Sequence, residues 1–202
     1  AFAANRAHWY DVGGMVPGSI SGSAREIYQE GLRIPPIRLG QQDQLNQDIL
    51  DMILYNIRVP DETRGDIMAQ VASCRVAGRH ILGLIKRYGK KCVLDHFKEN
   101  LDSSERRMRA LIGALPQTTM VHEGYMDNDG VQPERRCIRV KISVEEDSLH
   151  VDYTGTAPES QGPLNVGLAL AHCFAFMGVK AALDPQGPIT SGCFRPIRVT
   201  AP

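Results

Sequence analysis

The sequence predicts a mixed α+β fold: a glycine-rich site loop, a helical first half, an antiparallel β-meander, then a helix and a final strand, all part of a larger fold. Three observations carry this expectation. Apolar residues recur at helical intervals through most of the first half, while Ile138, Val140, Ile142 and Val144 alternate with Arg139, Lys141 and Ser143, the period of a half-buried strand. The opening stretch from Ala4 to Gly22 is too rich in glycine and proline for either element.

The elements follow in order. Ala1-Phe2-Ala3-Ala4 resembles the end of a buried strand, and the absence of Met before it suggests a piece of a longer polypeptide. Ser23-Ala24-Arg25-Glu26 has the spacing of a capping box, so a short helix is expected to Gln29, stopped by Gly31 and presenting Glu30 and Arg33 near its end. Pro35-Pro36 forces extended chain. Leu45, Ile49, Met52, Ile53 and Ile57 mark a helix over 44–57 closed by Pro60.

A longer helix is read from Ile67, Val71, Cys74, Ile81, Leu84, Ile85 and Tyr88, ended by Gly89, and another from about Lys91 to Leu115, ended by Pro116. Asp127-Asn128-Asp129-Gly130 is a turn, and with the strands on either side and Leu149, Val151 and Tyr153 after it the simplest arrangement is a three-stranded meander. An alanine-rich helix is expected over 165–183, and Arg195 to Thr200 reads as the last strand. Two regions result: 1–116, loop plus helices, and 117–202, meander, helix and strand.

Composition narrows the function. Lys plus Arg and Asp plus Glu are both 23, giving a formal net charge of zero, so no electrostatic footprint points to nucleic acid or to an anionic membrane. Five cysteines at wide spacing without a Cys-x-x-Cys pair read as reduced thiols, and no run approaches a membrane span; a cytoplasmic location is expected. Neither Gly-x-Gly-x-x-Gly nor a P-loop lysine is present, so no residues for binding a nucleotide cofactor are assigned.

The chemistry concentrates in the opening loop. His8 and Asp11 stand three apart, where one turn brings imidazole and carboxylate toward a common point. Two readings stay open: a shared divalent metal, incomplete with only two ligands, or a capped turn in which Asp11 accepts backbone N–H bonds. Arg6 and Arg33 are candidates to clamp a substrate carboxylate through the planar guanidinium fork, and Glu30 to serve as a base or to hold one of those arginines. Asn56-Ile57-Arg58 and Gly65-Asp66 are placed at helix ends, as capping residues or as parts of a site. His80, His96, His122, His150 and His172 have no ligand-spaced partner, and Cys193 has no histidine nearby to activate it.

Eight ordered blocks carry a family likeness: Ala4-Asn5-Arg6-Ala7-His8, Asp11-Val12-Gly13-Gly14, Pro17-Gly18-Ser19, Tyr28 to Pro36, Asn56-Ile57-Arg58-Val59-Pro60, Gly65 to Gln70, Val151-Asp152-Tyr153-Thr154-Gly155-Thr156 and Gly192 to Ile197. Together they make the chain resemble the hydantoinase B / 5-oxoprolinase / acetone carboxylase alpha-subunit family. The resemblance implies ATP-dependent hydrolysis of cyclic amides such as 5-oxoproline or hydantoins, or carboxylation of ketones. It also implies a partner, the hydantoinase A-like subunit or domain, that binds ATP and magnesium, while the B-type part carries a divalent metal, zinc or manganese.

In that family a His-x-x-Asp motif about 20 residues upstream of the histidine that matches His8 completes the metal site, and that upstream motif, distinct from His8-Trp9-Tyr10-Asp11, lies outside residues 1–202. By the resemblance His8 is a metal ligand, Asp11 a ligand or an orienting group, and Glu30, Arg6 and Arg33 the candidate catalytic residues. A noncatalytic domain that docks the ATP-binding partner is the third reading. Trp9 stands where relatives often carry a second histidine, and Ile189-Thr190-Ser191-Gly192 where they carry an Asn-containing loop, so the substrate does not transfer from any one relative.

Overall fold

The computed structural model describes residues 2–42 and 44–202, and these divide into two compact units, one ending at Arg87 and the other running Tyr88–Pro202.

The first unit begins with residues 2–9 in no regular element and with Phe2 exposed, so the strand end expected there is not formed among the described residues, where no neighbouring strand pairs with it. A short 3₁₀ turn, Pro17–Ser19, follows the glycine loop. The helix expected from Ser23 shrinks to a second 3₁₀ turn, Ile27–Gln29, and its capping box is formed by Glu26 and Gln29, not by Ser23 and Glu26. The cause is local. The Gln29 carbonyl that a longer helix would use accepts instead from the Met15 N–H at 2.8 Å, and Gly31, with φ of 145°, turns the chain out of the helical region.

A two-residue hairpin, β1 (Gly40–Gln41) with β2 (Gln44–Leu45), takes up residues that the apolar spacing gives to the following helix. Helix α1 (Gln47–Tyr55) therefore starts later, capped by the Asn46 side chain, which accepts from the Ile49 N–H at 3.2 Å. Pro60 is the first residue of α2 (Pro60–Tyr88), a position where the missing N–H goes unneeded. Asp61 and Glu62 in its first turn and Lys86 and Arg87 in its last complement the helix dipole. Gly65 and Asp66 lie inside this helix and are not end-capping residues, because Pro60 starts it earlier than the apolar pattern indicates. Leu50, Ile53, Leu54, Ile57 and Ile67 form the buried core of the unit, with Trp9, Leu32 and Leu39 packed against it.

The second unit opens with α3 (Lys90–Gly113), separated from α2 by Gly89. The meander is as expected: β3 (Thr119–Met126), β4 (Arg136–Glu145) and β5 (Ser148–Asp152) pair antiparallel, Ile142 opposite Met120 and Val151. Helix α4 (Leu168–Leu183) and a 3₁₀ turn, Ser191–Phe194, lead to β6 (Ile197–Thr200), which extends the sheet by pairing parallel to β5. A parallel neighbour needs a crossover connection, and α4 lies within it. Met108 and Ile112 of α3, Val144, Leu149 and Val151 of the sheet and Ala175 and Val179 of α4 make the core, with Phe176 stacked on Phe194 at 4.7 Å.

No helix among the described residues is long and apolar enough to cross a membrane, and all five cysteines are free.

Candidate active site

The glycine loop folds around a buried carboxylate. Asp11, only 1% exposed, accepts from the Gly13 N–H at 2.8 Å and the Arg58 N–H at 3.4 Å on Oδ1. Its Oδ2 accepts from the Gly18 N–H at 2.8 Å and from Arg58 Nη1 at 3.0 Å. Four donors fill the acceptor sites of one carboxylate. Burial by itself pushes the Asp11 pKa up, but the Gly13 and Gly18 amides, the Arg58 guanidinium and the Arg58 amide outweigh it and hold the group at about 2.

Ser19 closes the same loop from the other side, its Oγ accepting from the Val12 N–H and donating to the Gly13 carbonyl, both at 2.8 Å. The loop then runs beside the segment that follows the Ile27–Gln29 turn. Met15 N–H donates to the Gln29 carbonyl and Leu32 N–H to the Val12 carbonyl at 2.7 Å. The two backbones approach so closely that a Cβ on Gly14 would stand 2.7 Å from the carbonyl oxygens of Gln29 and Glu30.

This pairing places residues far apart in sequence on one open cleft of about 460 Å³, with His8, Glu30 and Arg33 in its lining and Trp9, Ile27 and Leu32 as apolar wall. Trp9 is held in place by its indole N–H, which donates to Gln70 Oε1 on α2 at 3.0 Å, and Asn5 Nδ2 donates to the Gln70 carbonyl at 2.7 Å. The Arg33 guanidinium lies over the Tyr28 ring at 5.1 Å from its centroid. Of the candidates from the sequence, His8, Glu30 and Arg33 share this cleft; Arg6 is exposed outside its lining, and Asp11 is buried behind it in the loop.

Among the described residues no three His, Cys, Asp or Glu side chains gather as a metal centre requires, so these residues do not by themselves make a metal site. The residue that sequence reasoning undervalues is Arg58. Its position suits a helix-end residue, yet its guanidinium also donates to the carbonyls of Gly13 at 3.1 Å, Val16 at 2.9 Å and Gly14. Nothing local in Asn56-Ile57-Arg58 signals a partner 47 residues away.

Fold and cleft together define an α+β protein that carries an imidazole, a carboxylate and a guanidinium on a glycine-framed cleft. The chain belongs to the hydantoinase B/oxoprolinase family, whose model matches residues 1–202. It is 34% identical to the beta chain of the caprolactamase of Pseudomonas jessenii, over 96% of this chain and 33% of that protein. It is 31% identical to the B-type component of a putative D-/L-hydantoinase from a Pseudomonas species, over 100% of this chain and 36% of that protein.

The crystal structure of the ATP-dependent caprolactamase from Pseudomonas jessenii matches 96% of this chain and 34% of its own with a TM-score of 0.90 at 29% identity. A nucleotide-free acetone carboxylase structure matches 95% of this chain and 27% of its own with a TM-score of 0.86, and at 16% identity that likeness concerns the fold alone. The chain spans about a third of the length of the two Pseudomonas relatives and about a sixth of that of the longer relatives it matches.

Proposed function

We propose that residues 1–202 belong to the B-type subunit or domain of an ATP-dependent amidohydrolase acting on cyclic amides of the 5-oxoproline or hydantoin kind. Its partner is an A-type subunit or domain that binds ATP and magnesium. The observation that carries this is the meeting of His8, Glu30 and Arg33 on one cleft in a chain of this family.

In this reading the apolar wall of Trp9, Ile27 and Leu32 receives the ring and excludes water from one side of it. Arg33 holds an anionic group of the substrate; Arg6, outside the lining, takes no part in that clamp. Transfer of the ATP γ-phosphoryl group to the amide oxygen releases ADP and makes the amide carbon electrophilic. Glu30 accepts the proton of the water that attacks it, and the C–N bond of the adduct breaks with the nitrogen taking up a proton. A second water hydrolyses the resulting acyl phosphate to carboxylate and inorganic phosphate. A divalent metal, zinc or manganese, belongs to the proposal with His8 as its candidate ligand and the remaining ligands outside residues 1–202. The saturated carboxylate of Asp11 favours the role of orienting the loop over that of a direct ligand.

The test uses the whole protein with its A-type partner, measuring ADP release together with ring opening of 5-oxoproline and hydantoin. Ring opening that requires both ATP and the partner is expected, and it should fall sharply in His8→Ala. Consumption of bicarbonate with a ketone in place of ring opening would assign the chain to carboxylation. Full turnover in His8→Ala would leave only partner docking for this loop.

A further inference from the structure

We propose that Arg58 is the positioning residue of the cleft, a role that rests on the cleft being the substrate site. Arg58 does not line the cleft. It acts through the loop that does: one guanidinium donates to Asp11 Oδ2 and to the carbonyls of Gly13, Gly14 and Val16, so the loop wraps around it. Its own N–H adds a contact to Asp11 Oδ1, fixing the junction between α1 and α2 to the same carboxylate.

The outward side of that loop supplies Val12, Gly18, Ser19 and Ile20 to the cleft, and its edge pairs with Gln29 and Leu32, the flanks of Glu30. One side chain thereby sets the separation between the wall that carries His8 and the wall that carries Glu30 and Arg33.

Nη1 reaches three of these acceptors, Asp11 Oδ2 and the Gly13 and Val16 carbonyls, and Nη2 the fourth, the Gly14 carbonyl. Lysine keeps the charge but ends in a single nitrogen, so it cannot occupy both positions and loses part of this set. The comparison of Arg58→Lys with the parent therefore isolates geometry from charge.

The experiment uses the complete enzyme with its partner and reads two quantities: hydrogen exchange in peptides covering 12–19 and 29–33, and KM for the cyclic amide beside KM for ATP. Arg58→Lys is expected to speed exchange in both peptides about tenfold and to raise the amide KM about tenfold, with the ATP KM and exchange over 119–152 unchanged. A purely structural role would reduce the amount of active enzyme and leave the amide KM where it was. Should Arg58→Lys fail to accumulate, the same two quantities are read for Arg58→Gln, which removes the charge together with the guanidinium contacts and tests the positioning without separating the two.

Unchanged exchange and unchanged amide KM overturn the proposal. Accelerated exchange in a protein that opens no cyclic amide even in its parent form leaves the positioning of the cleft supported and the proposed reaction refuted.

Discussion

The indole of Trp9 and the side-chain amide of Gln70 are joined by a hydrogen bond of 3.0 Å across 61 residues of sequence, and this bond fixes a wall of the cleft to α2. Gln70→Leu removes the acceptor from a half-buried N–H and is expected to destabilise the protein by about 1 kcal/mol. Denaturant unfolding measures the loss, and a change in Trp9 emission under native conditions shows that the wall itself has moved.

Glu30→Gln keeps size and hydrogen bonding while removing the base, so ATP-dependent ring opening should drop by about 10²–10⁴-fold with little change in stability. Arg6→Ala, changed outside the cleft, should leave the amide KM within about twofold, the span of ordinary surface substitutions. Steady-state kinetics of the two variants side by side checks the assignment of Glu30 and the exclusion of Arg6.

The Asp11 carboxyl is held at about 2, below its ordinary value of 3.8. A depressed carboxyl contributes stability that is present in full above the unfolded value and is lost as pH falls through the folded one. The Tm advantage of the parent over Asp11→Asn should therefore be constant from neutrality to about pH 5 and shrink between about pH 4 and 2. A gap that stays constant down to pH 2 would show that the charge on Asp11 adds nothing to the loop.

In the second unit, Asp184 accepts from Arg107 Nε at 3.0 Å and Nη2 at 2.7 Å, and its Oδ2 lies 3.3 Å from the buried Lys180 ammonium. The Arg107 bonds, the largest influence, lower its pKa against the opposing effect of burial. Asp184→Ala would leave Lys180 buried without its counter-charge, so a loss on the order of 3 kcal/mol is expected in urea unfolding.

Gly31 combines a φ of 145° with a backbone so near Val12 that a Cβ would stand 2.6 Å from its carbonyl oxygen. Gly31→Ala should destabilise by roughly 1–3 kcal/mol and weaken amide binding, since the displaced segment carries Glu30. Calorimetry and the amide KM, taken together, check both effects.

Much of the architecture is legible in the sequence because it is written in short-range patterns. The alternation from Ile138 to Val144, the apolar spacing in α2 and the alanine-rich run of α4 depend on neighbours within a few residues. The failures have the opposite character. The Ser23 capping box gives way because Met15 claims the Gln29 carbonyl, and the β1–β2 hairpin takes Gln44 and Leu45 from the start of α1.

At the cleft, His8 and Glu30 are visible as residue types in a suggestive loop, but their meeting depends on the backbone pairing of Val12 with Leu32. Arg58 is the hardest to value. An arginine between two helices has the same local signature whether it faces solvent or gathers a distant loop, and only the buried Asp11 distinguishes the two.

The parallel pairing of β6 with β5 also sets an order of events during synthesis. Strand β5 ends at Asp152, and its partner begins at Ile197, so some 45 residues must emerge before that edge is covered. At about 5–20 residues per second the ribosome leaves the edge open for roughly 2–9 s, long enough for a neighbouring nascent chain to pair with it. Slow or paused translation between α4 and β6 would thus lengthen the time for which the β5 edge stays unpaired.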